Sequence, residues 1–282
     1  MTDSQDPATR DLSSSTSSSA DPESSGDGRG IDLTPPPGPA FGLDKGDLID
    51  LFQTGDYEIE GRMADSSNAT LLVVVSDPEA AGEHRRSHRA IYKPGSGERP
   101  LWDFPPNIYR REAAMFRLAD HLGWDVVPPT TLAEGPFGEG SVQAFVNADF
   151  RHHYFSLHED GIGGDDLRLL CALDIVANNT DRKSGHCLLG SDGRVYGIDH
   201  GLAFHAQFKL RTVMWDYIGE PLPQPVKDGL ALLLDHGLPA DVACLLDRIE
   251  ADALLGRAEA LFRAGRYPDD ETGGRRWPWP LV

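Results

Sequence analysis

Asn178-Asn179-Thr180-Asp181-Arg182-Lys183-Ser184-Gly185-His186 is followed, beyond a short hairpin pattern, by Ile198-Asp199-His200-Gly201. Together these pieces set an acidic residue, a potential metal ligand five positions on, and a second acidic residue in a fixed order. Phosphoryl transfer needs such groups. One carboxylate stands beside the acceptor hydroxyl, while a second carboxylate and a further ligand hold divalent cations on the phosphates. Most of the catalysis is then positioning and charge neutralisation. Asp181 is the candidate for orienting the attacking hydroxyl, an effect typically worth about 10²–10⁴ in rate. Asp199 and His186 are the candidate metal ligands. Asn179 is expected to brace the loop, and Gly201 to permit the turn that aims Asp199 into a cleft.

Upstream, Ala90-Ile91-Tyr92-Lys93-Pro94 reads as the end of a strand whose apolar neighbours would hold the Lys93 ammonium in one place, as pairing with nucleotide phosphates requires. Glu112, early in the helix that follows, is placed to pair with Lys93 and fix it. The polar turn Ser66-Ser67-Asn68 between two strands offers backbone N–H groups and hydroxyls that would fold over phosphates. Three histidines, His186, His200 and His205, flank the two central carboxylates. With Asp199 they form the competing candidate, a transition-metal site of a metal-dependent hydrolase.

The composition narrows the classes. The chain has 282 residues, 39% of them hydrophobic, enough for a real core. Its formal net charge of −19 repels nucleic acid phosphates and anionic lipid headgroups, so neither is an expected partner and no stable membrane association is expected. Three widely spaced cysteines, Cys171, Cys187 and Cys244, read as reduced core thiols, and the N-terminus lacks the pattern of a signal peptide. The longest apolar run, Leu71 to Val75, is too short to span a bilayer. A soluble, cytoplasmic protein is expected.

Residues 1–44 are rich in serine, proline and acids and are expected to be a disordered tail. Residues 45–146 read as a helix, strands at 57–63, 70–76 and 88–93, a helix at 108–122, and strands at 127–132 and 141–146, a small mixed sheet with one helix against it. A charged loop is expected at 79–87. After a polar bridge at 147–164, residues to 282 read as mainly helical. They comprise a helix at 167–176, a hairpin at 187–198, helices at 225–235 and 240–264, and a closing Trp277-Pro278-Trp279-Pro280 segment whose aromatics are expected to dock on the body. The plan is a β-rich lobe followed by a helical lobe, with the chemistry-bearing loops where they meet.

Five collinear pieces carry a resemblance. They are Ile91-Tyr92-Lys93-Pro94; Tyr109-Arg110-Arg111-Glu112 leading to Leu122-Gly123; Val127-Pro128-Pro129-Thr130; Asp174-Ile175-Val176 leading to Asn179-Thr180-Asp181-Arg182; and Ile198-Asp199-His200-Gly201-Leu202-Ala203-Phe204. In this order they resemble the phosphatidylinositol 3-/4-kinase superfamily, most closely the type II phosphatidylinositol 4-kinases and bacterial proteins like them, and more distantly the HipA-type kinases. The resemblance implies an α+β, two-lobed atypical protein-kinase-like fold that binds ATP with Mg²⁺, or Mn²⁺, between the lobes. Lys93 would bind ATP phosphates, Asp181 would be the catalytic loop aspartate, and Asp199 would be the metal ligand. Gln143, Ala144, Phe145 and Val146 would form the hinge against which adenine lies. The chain departs from the family at His186, where the second metal ligand is normally Asn, and in lacking the family's lipidated cysteine cluster. Phosphoryl transfer to a hydroxyl on a protein or small molecule, rather than a lipid, is the expectation. A pseudokinase that binds nucleotide without chemistry, and transfer of AMP, stay open beside it.

Overall fold

The computed structural model describes residues 38–63, 68–78, 85–270 and 273–281. The tail expected over 1–44 lies outside the described residues as far as 37. From residue 38 the chain belongs to the packed body. Ala40 is buried, its carbonyl accepts the Asn147 N–H, and the Asp44 carboxylate takes the Asp47 N–H at 2.8 Å to cap the first helix, α1 (Lys45–Thr54). Of the expected 79–87 loop, positions 79–84 are likewise outside the described residues.

Five antiparallel strands follow: β1 (Asp56–Arg62), β2 (Leu71–Ser76), β3 (Ser87–Pro94) and, after helix α2 (Tyr109–His121), β4 (Thr130–Gly135) and β5 (Gly138–Ala144). Their order in the sheet is β1-β2-β3-β5-β4. Alternation along the strands sends Val73, Val75, Ala90, Tyr92, Val142 and Ala144 to one face, where Leu48, Leu51 and Phe52 of α1 cover them. β4 begins at Thr130 rather than at Val127, because Pro128 and Pro129 carry no N–H to give a ladder. β5 stops at Ala144, where the chain leaves the sheet for the second lobe.

The bridge at 147–164 is more structured than its polarity suggests. It holds β6 (Ala148–Asp149), which pairs with β7 (Cys187–Gly190), and a short helix α3 (Tyr154–Glu159). Helix α4 (Gly164–Ala177) is buried from Leu170 to Ala177 and its apolar residues belong to the main core of the helical lobe. β8 (Val195–Gly197) closes the hairpin with β7. Helix α5 (Gln224–His236) follows as expected. The single helix expected over 240–264 is instead two, α6 (Ala240–Ala243) and α7 (Arg248–Ala264). The break has a local cause: Asp247 accepts the Glu250 N–H at 2.8 Å and Glu250 accepts the Asp247 N–H at 3.1 Å, a capping box that restarts the helix.

The expected two-lobed α+β arrangement, β-rich first and helical second, is the one observed. The lobes are not independent, however. Ala114, Met115, Phe116 and Leu118 of α2 belong to the same buried cluster as α4, α5 and α7. Buried Arg111 of α2 also reaches the Ala203 carbonyl and Glu250 of α7. Cys171 and Cys187 are buried free thiols, but Cys244 is exposed, in the break between α6 and α7, and is not a core residue. Among the described residues, no helix is long and apolar enough to cross a membrane.

Candidate active site

Lys93 lies near the end of β3, and alternation turns it to the sheet face opposite Tyr92 and α1. Gly140 lets β5 lie close beside it, since a Cβ there would sit 2.5 Å from the Lys93 carbonyl. Glu112, in the first turn of α2, is buried and held at both oxygens: Oε1 pairs with Lys93 Nζ, and Oε2 accepts the His200 N–H at 2.8 Å. Lys93 Nζ also donates to Asp199 Oδ1 at 2.7 Å. Burial works against the ammonium charge, but Asp199 and Glu112 outweigh it and hold Lys93 well above its ordinary value. The same ammonium is the main cause that holds the Asp199 carboxyl far below the usual carboxylate range.

Asp199 follows β8 with φ of 59°, in the left-handed region. The turn that aims it is therefore made at Asp199 itself, and Gly201, expected to supply that freedom, does not have a positive φ. Aspartate is among the side chains that tolerate this conformation. Asn178, with φ of 54°, ends α4 in the same region, and its side chain holds the Lys209 N–H and the His205 and Gln207 carbonyls.

Arg182 secures the loop between these two points. Fully buried, it donates to both oxygens of buried Asp174 in α4, at 2.7 and 2.8 Å, and to the carbonyls of His186 and Ile198 at 3.2 and 2.8 Å. Asn179 braces as expected, with Nδ2 donating to Asp174 at 2.9 Å and Oδ1 accepting the Asp181 N–H at 3.0 Å. Thr180 bonds the Leu202 carbonyl through both its N–H and its hydroxyl. One buried carboxylate thus fixes the loop bearing Asp181 and the strand end bearing Asp199. Asp174 and Arg182 had no role read from their chemistry. The available signal was an acidic residue inside the apolar run Leu169 to Ala177, eight positions before a basic one.

Asp181 is paired with Lys183 Nζ at 3.1 Å. Burial pushes its carboxyl above the ordinary value, Lys183 opposes this, and the negative charge of Asp199 adds to it. His186 is mostly buried, and burial pulls its imidazole down to about 4, so the ring is neutral near pH 7. Its Nδ1 accepts the Lys183 N–H at 3.4 Å, which leaves Nε2 to carry the ring proton toward Asp199 Oδ2, also 3.4 Å away.

The remaining sequence candidates fall into different places. Gln143 is buried and donates to Thr130 Oγ1 at 3.0 Å, and Ala144 faces α1. The Phe145 N–H bonds the Arg89 carbonyl, whereas the N–H of Val146 has no hydrogen-bond partner among the described residues. Ser66 and Ser67 lie outside the described residues. Asn68 accepts the Arg99 N–H at 2.9 Å and so ties that turn to the segment after β3. His200 is fully buried, with Nδ1 3.8 Å from Glu112. His205 is turned toward Gln207, Lys209 and Phe104. Among the described residues no three or more His, Cys, Asp or Glu side chains gather as for a cation, so the geometry does not assemble the four-residue hydrolase site.

A relative sets the chain in a family. It is 35% identical over 263 residues to Protein Rv2133c of Mycobacterium tuberculosis, across 80% of this chain and 92% of that protein. The chain belongs to the Rv2133c family. No family model matches it. Among solved structures, the chain is similar to the Helicobacter pylori proinflammatory kinase CtkA, with 11% identity, a TM-score of 0.43 and coverage of 76% of this chain and 94% of that one. It is also similar to hydra Fam20 with sugar, at 12% identity, a TM-score of 0.48 and coverage of 77% and 86%. A third is the Golgi casein kinase with Mn/ADP bound, at 16% identity, a TM-score of 0.43 and coverage of 84% and 80%.

Proposed function

We propose that this protein is an ATP- and divalent-metal-dependent phosphotransferase of the atypical PI3/PI4-kinase-like kind, acting on a hydroxyl of a protein or small molecule. One observation carries this reading. The Lys93 ammonium is held between a buried helix carboxylate, Glu112, and Asp199 at the end of β8, while Asp181 is near enough for the charge of Asp199 to raise its carboxyl. A lysine fixed in this way suits the α- and β-phosphates of ATP. The free Val146 N–H, where β5 gives way to the second lobe, suits an adenine edge.

In the reaction, Asp181 takes the proton of the acceptor hydroxyl as the oxygen bonds to the γ-phosphorus. The bond from that phosphorus to the β-phosphate oxygen breaks, and ADP leaves. Asp199 fits a hard cation, because Mg²⁺ is usually held by one or two carboxylates together with phosphate oxygens and water. Bound there, the metal supplies charge neutralisation to the phosphates. His186 would be the second ligand, an imidazole that widens the preference toward Mn²⁺. A second reading has specific support in that same ring: with its proton directed at Asp199, His186 orients the carboxylate instead of binding metal, and the protein is a pseudokinase that holds nucleotide without transfer. The charge of −19 makes nucleic acid and anionic membranes poor partners and suits a cytoplasmic location.

Magnesium and ATP together are expected to raise the melting temperature, and Lys93→Ala to abolish the rise. Equal shifts in the two proteins would reject the role of Lys93. Incubation with γ-labelled ATP and cell extract separates the two readings: label in an acceptor supports transfer, and a Lys93-dependent shift without label supports the pseudokinase.

A further inference from the structure

Asp181 opens onto a cavity of about 480 Å³ whose walls do not match the charge of the molecule. The chain carries 45 acidic against 26 basic residues, yet Lys209, Arg211 and Arg275 meet in this one cavity against two carboxylates, Asp103 and Asp181. Lys209 is neutralised by Asp103 at 3.2 Å, and Asp181 is taken up by Lys183. Arg211 and Arg275 have no carboxylate partner among the described residues. In a protein with so many acids, two arginines that line one cavity without a carboxylate partner suit an anion from outside. The guanidinium fork matches phosphate and carboxylate oxygens two at a time.

The segment that carries Arg275 also brings aromatic rings to the cavity. Trp277 is 43% and Trp279 88% exposed, so the rings expected to dock on the body stand open instead, and both line the cavity. The segment carrying them is tied down on either side: the Arg276 carbonyl accepts from the Thr212 N–H at 3.0 Å and from Trp215 Nε1 at 3.1 Å, and the Leu281 carbonyl accepts the Ser184 N–H at 2.8 Å. Two large rings held open to solvent beside unpaired cations provide a platform for a ring or carbon face. Ser184 belongs to the Asp181 loop, so this wall is registered on the reacting position itself.

We infer that the acceptor is a small hydroxyl compound that already carries a phosphate or carboxylate, bound by Arg211 and Arg275 and laid against Trp277 and Trp279 with a hydroxyl at Asp181. The inference rests on the phosphotransferase reading and names its substrate class. Transfer proceeds as above: the acceptor oxygen bonds to the γ-phosphorus of ATP, the bond to the β-phosphate breaks, the proton passes to Asp181 and ADP departs. A cavity of this volume suits a metabolite better than a folded protein.

The test is a titration of tryptophan fluorescence in the full chain with charged and uncharged partners: glucose 6-phosphate against glucose, glycerol 3-phosphate against glycerol, and glycerate against glycerol. A phosphoserine peptide is a further arm. At least one charged compound should bind about tenfold or more tightly than its uncharged counterpart, and should weaken at least about tenfold in Arg211→Met/Arg275→Met. The phosphate and carboxylate pairs show which anion is read. Equal binding of every charged and uncharged pair, unchanged affinity in the double variant, or preference for the peptide would each overturn the assignment. The ATP-induced melting shift, measured on the same proteins, keeps the two readings apart. If that shift persists without anion preference, the acceptor class fails; if anion preference persists without the shift, the phosphotransferase reading fails.

Discussion

At the scale of single residues, Asp181 and Asp199 are two carboxylates that their surroundings push in opposite directions. Lys93 keeps Asp199 ionised, while burial raises Asp181. As a base Asp181 must be ionised, so activity falls as pH drops through its raised value. The acid limb of kcat/KM should therefore lie above about 4, the ordinary aspartate position. A limb at or below that position would remove Asp181 from the role. The sign for stability is the reverse: a folded-state value above the unfolded one favours folding below the unfolded value, and that contribution is lost as pH rises through the folded one. At neutral pH, Asp181→Asn should thus leave the melting temperature unchanged or higher, keep the ATP-induced shift, and lower transfer by about 10²–10⁴. Undiminished transfer would refute it. Asp199 was legible as a carboxylate beside a turn, but its left-handed backbone was not. Asn is therefore the informative replacement there, because Ala adds backbone strain to the loss of charge.

At the scale of elements, the pieces that carry the site were legible because each is a short local pattern: a lysine closing an apolar strand, a glutamate one turn into a helix, two acidic loops. What was not legible is long-range. The Asp174–Arg182 pair joins α4 to the loop and to the end of β8, and its partners only become apparent once those elements meet. The two-helix break at 244–247 could have been read, since Asp247 and Glu250 have capping-box spacing, but the amphipathic period runs on through it. Removing one member of the Asp174–Arg182 pair leaves a buried charge without its partner. Arg182→Met or Asp174→Leu should each cost about 3–5 kcal/mol in denaturant unfolding, and the double variant less than the two together. Single variants within about 1 kcal/mol of the parent would show that the pair does not hold the loop.

For the whole molecule, the division into a β-rich and a helical half was legible from the change of period along the chain. The sharing of α2 between them was not, because its apolar face reads the same whichever core it enters. The net charge acts at this scale too. A protein at −19 repels a polyanionic nucleotide over about a Debye length, roughly 10 Å at 0.1 M salt. Adding sodium chloride from low ionic strength should therefore speed association of Mg-ATP, as read by stopped-flow fluorescence. Slower association would mean that the local field at the cleft is positive and governs capture.

The bond from the Ser184 N–H to the Leu281 carbonyl has a practical corollary. Whatever is joined to the chain beyond this segment, whether an affinity handle, a fluorescent fusion or a natural extension, emerges beside the loop that bears Asp181. A label placed there would report on, or obstruct, the mouth of the cavity.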